Sequence, residues 1–298
     1  MSTSTSSIRE LTVKTWSELV SELYDNSYNE TLDRFRSPYA FRGITDLNYK
    51  LETTLVRLGH STTDEIRFIE ARLLENFKKY AYGQFDDKLS IWHWISVGQH
   101  HGLPTRLLDW TYSPFVALHF ATNDLTKMDC DGVIWCVNFW EVQRWLPDDL
   151  RQALHDKRLS VFSIEMLAER FQEFSKFDNP DVNADFMLFF EPPSLDGRIV
   201  NQVALFSFLS RPDLQLDEWL TRVSANNPGV CKKIIIDKSL KWEVRDKLDQ
   251  ANITERVLFP GLDGLSGWLK RWYSPKATLV PAGERMRRSP DPERHGLT

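Results

Sequence analysis

Apolar residues recur at helical spacing in several separate stretches, and most of these stretches open on a hydroxyl side chain. Thr15-Trp16-Ser17-Glu18 reads as a capping box, opening a helix with Trp16, Leu19, Val20 and Leu23 turned inward. Thr62-Thr63-Asp64-Glu65 repeats the signal ahead of Ile66, Ile69, Leu73, Phe77 and Tyr80, one apolar face at 3–4 spacing. Ser90 caps a helix that stops near Gly98 or Gly102. Ser113-Pro114, a hydroxyl cap followed by proline, starts a short and heavily apolar helix over residues 115–122. Ser163 precedes Ile164, Leu167, Phe171 and Phe174, and Ser239 precedes Leu240, Val244 and Leu248. Leu262, Leu265, Trp268, Leu269 and Trp272 mark a final helix.

Short β-branched and aromatic runs lie between these helices. They are Tyr39 to Ile44, Gly132 to Asn138, Ile234 to Ile236 and Val257-Leu258-Phe259. Residues 186–190 and 200–208 read as two more strands, with turns at Pro192-Pro193 and Asp196-Gly197 between them. Helices and strands mix irregularly, which predicts an α+β fold in a single mixed domain over residues 10–273. From Ser274 the pattern dissolves, and residues 275–298 read as a flexible, basic, proline-containing tail.

Composition narrows the function classes. At 298 residues and 42% apolar, the chain can bury a substantial core. Its 37 basic and 42 acidic residues give a net charge of −5, with no basic face to signal nucleic acid. Cys130, Cys136 and Cys231 lack metal-like spacing and are expected as reduced thiols in a cytoplasmic protein. No apolar run approaches the roughly 18 residues of a membrane span. Dinucleotide, phosphate-loop, zincin and hydrolase-elbow signatures are absent.

Candidate chemistry concentrates in residues 99–114, where polar groups sit between apolar flanks and must find a partner or a ligand. Adjacent His100 and His101 point apart and have no completing ligands, so no metal is expected. Arg106 and Asp109 are expected as a buried charge pair, either bracing the loop or touching a ligand. Arg42, at a strand end before Gly43, has a planar fork suited to phosphate or carboxylate, or to a surface salt bridge. Arg198 and Gln202, four apart and on or just before an expected strand, share a face that lines a cleft or meets solvent. Glu191 stands at a strand end, as a catalytic or simply a solvated carboxylate.

Together these residues resemble the FRG domain, named for an aromatic-Arg-Gly motif matched by Phe41-Arg42-Gly43. Its Q-H-x-G-x-P-T-R-L-L-D-W-T block resembles Gln99 through Thr111, with His101 at the first open position. Its S-P-x-x-A-x-x-F-A element resembles Ser113 through Ala121, and its R-x-x-x-Q-x-x-x-F element Arg198, Gln202 and Phe206. The resemblance runs from about residue 38 to 265 and implies a bacterial or phage-related protein. A weaker similarity, to ADP-ribosyltransferase-like folds, rests on the order of the Arg-Gly strand, the hydroxyl bend and the small-residue helix.

That similarity implies NAD as substrate and a toxin or phage-defence effector. Arg42 would then hold the diphosphate, with Thr111 and Ser113 bracing the pocket and Trp110 or Tyr112 stacking on a ring. Phe41, Gly43, His100, His101, Thr105 and Gln202 would complete the binding set. Glu191 would be the catalytic carboxylate beside Arg42, and Gln99, Arg106, Asp109 and Arg198 a structural network. The alternative implication is a non-catalytic module sensing a nucleotide or a protein partner.

Overall fold

The computed structural model describes residues 8–85, 88–174, 185–194 and 196–276. Its strands in chain order are β1 (Arg9–Val13), β2 (Tyr28–Asn29), β3 (Arg34–Phe35), β4 (Tyr39–Ile44) and β5 (Leu107–Thr111). They continue as β6 (Gly132–Asn138), β7 (Phe162–Ser163), β8 (Met187–Glu191), β9 (Ala204–Leu209) and β10 (Cys231–Ile236). Strands β2 and β3 pair with each other, and the other eight form one mixed sheet in the order β1-β10-β6-β4-β5-β9-β8-β7. The α+β expectation is met.

The sheet is narrowest in its middle. β4 runs antiparallel to β6 along its whole length, and β5 likewise to β9. Between β4 and β5, however, the ladder holds a single pair, Phe41 with Thr111. Two four-stranded halves therefore meet at one point and part on either side of it.

Alternation along the strands sends successive side chains to opposite faces. On one face Ala40, Val133, Trp135, Leu108, Trp110, Leu205 and Phe189 join a core that crosses both halves and packs under the Leu216–Asn226 helix. The other face carries two separate cores. Phe41, Ile134 and Ile234 pack beneath the Trp16–Tyr24, Pro114–Thr122 and Lys241–Gln250 helices. Leu107, Phe206, Phe208 and Leu188 pack beneath the Thr63–Tyr80, Ile91–His100 and Asp148–Lys157 helices. The gap between these two helix groups lies over the seam.

Both capping boxes form, at Thr15 with Glu18 and at Thr62 with Glu65. Ser90, Ser113 and Ser163 cap as read, each accepting from a backbone amide of the first turn. Four expectations need correction. The helix after Ser163 ends at Arg170, leaving Phe171 and Phe174 beyond it. Asp237, two residues before Ser239, caps the turn that leads into the Lys241–Gln250 helix. Val257 and Leu258 belong to a short Glu255–Leu258 helix instead of a strand, because three apolar residues carry no period that separates the two.

The fourth correction concerns residues 200–208. Asp196 is a helix cap, accepting from the amides of Arg198 and Ile199 at 2.9 and 3.2 Å, and a Gly197–Asn201 helix delays β9 to Ala204. Residues 277–298, nearly all of the expected tail, lie outside the described residues. Among the described residues no helix is long and apolar enough to cross a membrane.

Candidate functional site at the seam

Where β4 and β5 part, continued pairing would set Gly43 opposite Asp109. A side chain takes over instead: Arg42 Nη1 donates to the Asp109 carbonyl across the opening. Arg42 Nε is buried there with no partner. Burial pushes the guanidinium's pKa down, the Asp109 carboxylate opposes this, and Arg57 adds to it. The Arg42 side chain as a whole is half-buried, and its buried Nε–H lacks the acceptor that such a donor ordinarily has.

Two chambers share Arg42, Gly43 and Phe120. The inner one, about 210 Å³, has an apolar wall that includes Phe41, Phe120 and Phe206, with polar groups from three elements: Gln99 and His100, Asp109 and Thr111, and Arg198 and Gln202. The outer one, about 670 Å³, opens between Thr45, Asn48, Lys50, Arg57 and Asn123. Together they fall in the size range of small-molecule sites.

Each inner residue is fixed by a bond that leaves part of it facing the chamber. Gln99 Nε2 donates to Asp109 Oδ2 at 2.9 Å, and Gln99 Oε1 accepts from Thr105 Oγ1. Thr111 Oγ1 donates to the Gln202 carbonyl at 2.7 Å. The side-chain amide of Gln202 donates to the Leu258 carbonyl at 3.0 Å, and that of Asn201 to Val257 at 2.7 Å. These two carbonyls end the Glu255–Leu258 helix, where no intrahelical donor remains to meet them. Arg198 lies over the Phe259 ring at 5.1 Å and reaches the His100 carbonyl at 3.5 Å. His100 Nε2 meets Asp196 Oδ2 at 2.9 Å.

The structure thus brings together Phe41, Arg42, Gly43, Gln99, His100, Asp109, Thr111, Arg198 and Gln202. Trp110 contributes to the wall, but its indole sits in the opposite core, donating to Ser207 Oγ at 2.9 Å and edge-on to Phe189. It has no free face for a ligand ring. Arg198 and Gln202 do share a face, through helical spacing and not through strand alternation.

Several expected site residues do not line either chamber. His101 ends the Ile91–His100 helix beside Phe77. Thr105 is buried, linked to Gln99 and to Thr54. Ser113 caps the Pro114–Thr122 helix through Val116. The Tyr112 hydroxyl donates to Glu191 Oε1 at 3.1 Å, and neither residue lines either of Arg42's chambers.

The Arg106–Asp109 pair is also corrected. Residues three apart in a strand face opposite ways, and Arg106 is closed instead by a buried bidentate pair with Glu70. Phe174 and Phe208 flank its guanidinium.

Gly43 acts differently from its sequence reading. A Cβ there would lie 1.8 Å from the Ala117 carbonyl and 2.7 Å from the Ala121 amide. The backbone it admits is that of the Pro114–Thr122 helix. Residues missed in the sequence include Asp196, Arg57, Phe120 and Phe259. Asp196 before a glycine gives a cap signal that also fits a turn; Phe120 is the phenylalanine of the S-P-x-x-A-x-x-F-A element, without a sign of its place in the site, and Phe259 carries no local mark. Among the described residues no cluster of His, Cys, Asp or Glu could hold a metal ion. The cysteines are free, and burial pushes the Cys136 thiol up to about 12.

The FRG domain family model matches residues 37–130, which include Arg42 and the block from Gln99 to Ser113. Arg198 and Gln202 lie beyond that match. Neither the curated proteins nor the solved structures contain a match to the chain.

Proposed function

Starting from a chain that carries an FRG domain, we propose that the seam chambers handle an NAD-type dinucleotide in the manner of an ADP-ribosyltransferase-like enzyme. One observation carries this reading: Arg42 stands between two chambers with a buried, unpartnered Nε. An arginine fork between two cavities suits a diphosphate with a ribosyl group on either side, because planar donors match phosphate oxygens in pairs. The inner chamber takes the smaller, nicotinamide end, a pyridinium cation, against Thr111, His100 and Gln202. The outer one, where Lys50 and Arg57 stand beside Glu52 and Asp124, takes the rest.

In a cell such a protein consumes or transfers from the cytoplasmic NAD pool, as a toxin or phage-defence effector. Calorimetric titration with ADP-ribose and a nicotinamide-release assay with NAD test this. Arg42→Gln should weaken ADP-ribose binding by tenfold or more and relieve any growth arrest on expression. Equal binding by wild type and variant sinks the reading.

A second reading has its own support. Glu191 is tied to Tyr112 away from the chambers, so the carboxylate expected from the resemblance is not there. A sensing module that binds nucleotide or couples it to a protein partner needs no such group. ADP-ribose binding without nicotinamide release selects it.

A further inference from the structure

One wall residue of the inner chamber, His100, belongs to a histidine–carboxylate pair that the resemblance did not suggest. His100 is the last residue of the Ile91–His100 helix and lines the chamber, with its side chain 11% exposed. Its Nε2 lies 2.9 Å from Asp196 Oδ2, while Asp196 Oδ1 accepts from the amides of Arg198 and Ile199. The carboxylate is therefore anchored at one oxygen and holds the imidazole with the other.

Burial alone would raise the Asp196 pKa, but the Ile199 amide, the His100 ring and the Arg198 amide outweigh it, and the net direction is down. An ionised carboxylate only accepts, so Nε2 must carry the proton. Nδ1 is then a free lone pair with no partner among the described residues. Burial also lowers the His100 pKa, against the pull of Asp196 and with the help of Arg198 and His101. Arg42 and Asp109 are the other charges around the same chamber. The ring is thus a neutral base near pH 7.

We propose that His100 is the general base of the seam site and that Asp196 is its positioning residue. This deepens the NAD reading and rests on it. In the step, the bond between the ribose C1′ and the nicotinamide ring nitrogen breaks. Its electron pair stays on the ring and cancels the ring's positive charge. The oxygen of water, or of an acceptor hydroxyl, bonds to C1′ and gives its proton to Nδ1. Asp196 supports the imidazolium until that proton passes to solvent. The products are nicotinamide, ADP-ribose (or the ADP-ribosylated acceptor) and one proton.

This pair answers the absence of Glu191 from the site. The remaining carboxylate in the inner chamber, Asp109, already accepts from Gln99. A cavity-lining histidine held at one nitrogen by a carboxylate is an arrangement that general-base catalysis uses.

His100→Gln and Asp196→Asn separate the roles, since asparagine caps a helix as well as aspartate does but lacks the charge. Nicotinamide release from NAD and calorimetric binding of ADP-ribose are measured on the full chain. His100→Gln should lower kcat about 100-fold or more. Asp196→Asn should lower it about tenfold and move the acid limb of the pH profile to lower pH. Asp196→Asn should keep the ADP-ribose Kd within about threefold of wild type. Nitrogen-15 NMR should find the His100 proton on Nε2.

His100→Gln turnover within threefold of wild type, or a proton found on Nδ1, overturns the base assignment and leaves the NAD reading standing. Wild type that binds ADP-ribose without releasing nicotinamide also overturns it, in favour of sensing. Wild type that binds no ADP-ribose removes both.

Discussion

Glu70 and Arg106 are almost fully buried, at 5% and 1% exposure, and each meets the other's charge. Removing Glu70 takes the bidentate carboxylate from a buried cation flanked by Phe174 and Phe208. Glu70→Ala should therefore destabilise by about 3–5 kcal/mol, read as a shift in the urea midpoint. Replacing both residues with apolar ones of similar volume should recover most of that loss. Arg106 could be identified from the sequence as a buried charge. Its partner could not, because 36 residues and a whole helix separate them and no local period links such a pair. Arg42 was more legible: its bounding aromatic and glycine marked a strand whose arginine is specially placed. The glycine's true purpose, admitting a helix, depends on a packing distance that no spacing encodes.

At the scale of elements, caps and periods were read well where they were redundant. Thr15 and Thr62 each had a reciprocal glutamate, and Ser113 had a following proline. Elements of four or five residues were misread, since Glu255–Leu258 and Gly197–Asn201 are too short to show a helical period. The Arg198–Gln202 face survived that error because a spacing of four places residues on one side in either element. The contact that sets the site wall is the approach of the Pro114–Thr122 helix to β4. Gly43→Ala must push that helix outward, against Ala117 and Ala121. A loss of about 1–3 kcal/mol in thermal unfolding is expected, together with weaker ADP-ribose binding because Phe120 rides on the same helix. An unchanged melting temperature would contradict the packing described.

For the molecule as a whole, the wall behind Phe259 depends on a buried polar network. His119 Nδ1 accepts from Arg245 Nη1 at 3.0 Å, Arg245 meets Glu255 at 3.2 Å, and Arg271 clasps both Glu255 and Asp249. Burial first, then the Arg245 charge, pushes the His119 pKa down to about 3. Below pH 6.5 the unfolded chain gains a proton that the folded chain refuses, so stability falls as pH drops from 6.5 towards 3. Burial opposes ionisation of Glu255, yet Arg271 and Arg245 hold its pKa down to about 2. That support is present above pH 4.5 and is lost as pH falls towards 2. His119→Asn keeps an acceptor for Arg245 but cannot titrate. It should flatten the decline between pH 6.5 and 4.5 by roughly 2 kcal/mol. Urea unfolding across that range checks the sign and the size.

The strand order has a consequence for biosynthesis. One side of the sheet takes its strands from residues 9–13, 39–44, 132–138 and 231–236, and the other from 107–111, 162–163, 187–191 and 204–209. Neither side is a contiguous stretch of polypeptide, so a nascent chain cannot complete the first before residue 236 has left the ribosome. An excised piece spanning 37–130 keeps β4 and β5 but loses β6 and β9, the long ladders that flank them. Expressed alone it should give the dispersionless proton spectrum of a random coil, whereas a 9–273 piece should fold. A structured short piece would mean that the weakest joint in the sheet is strong enough to stand unaided.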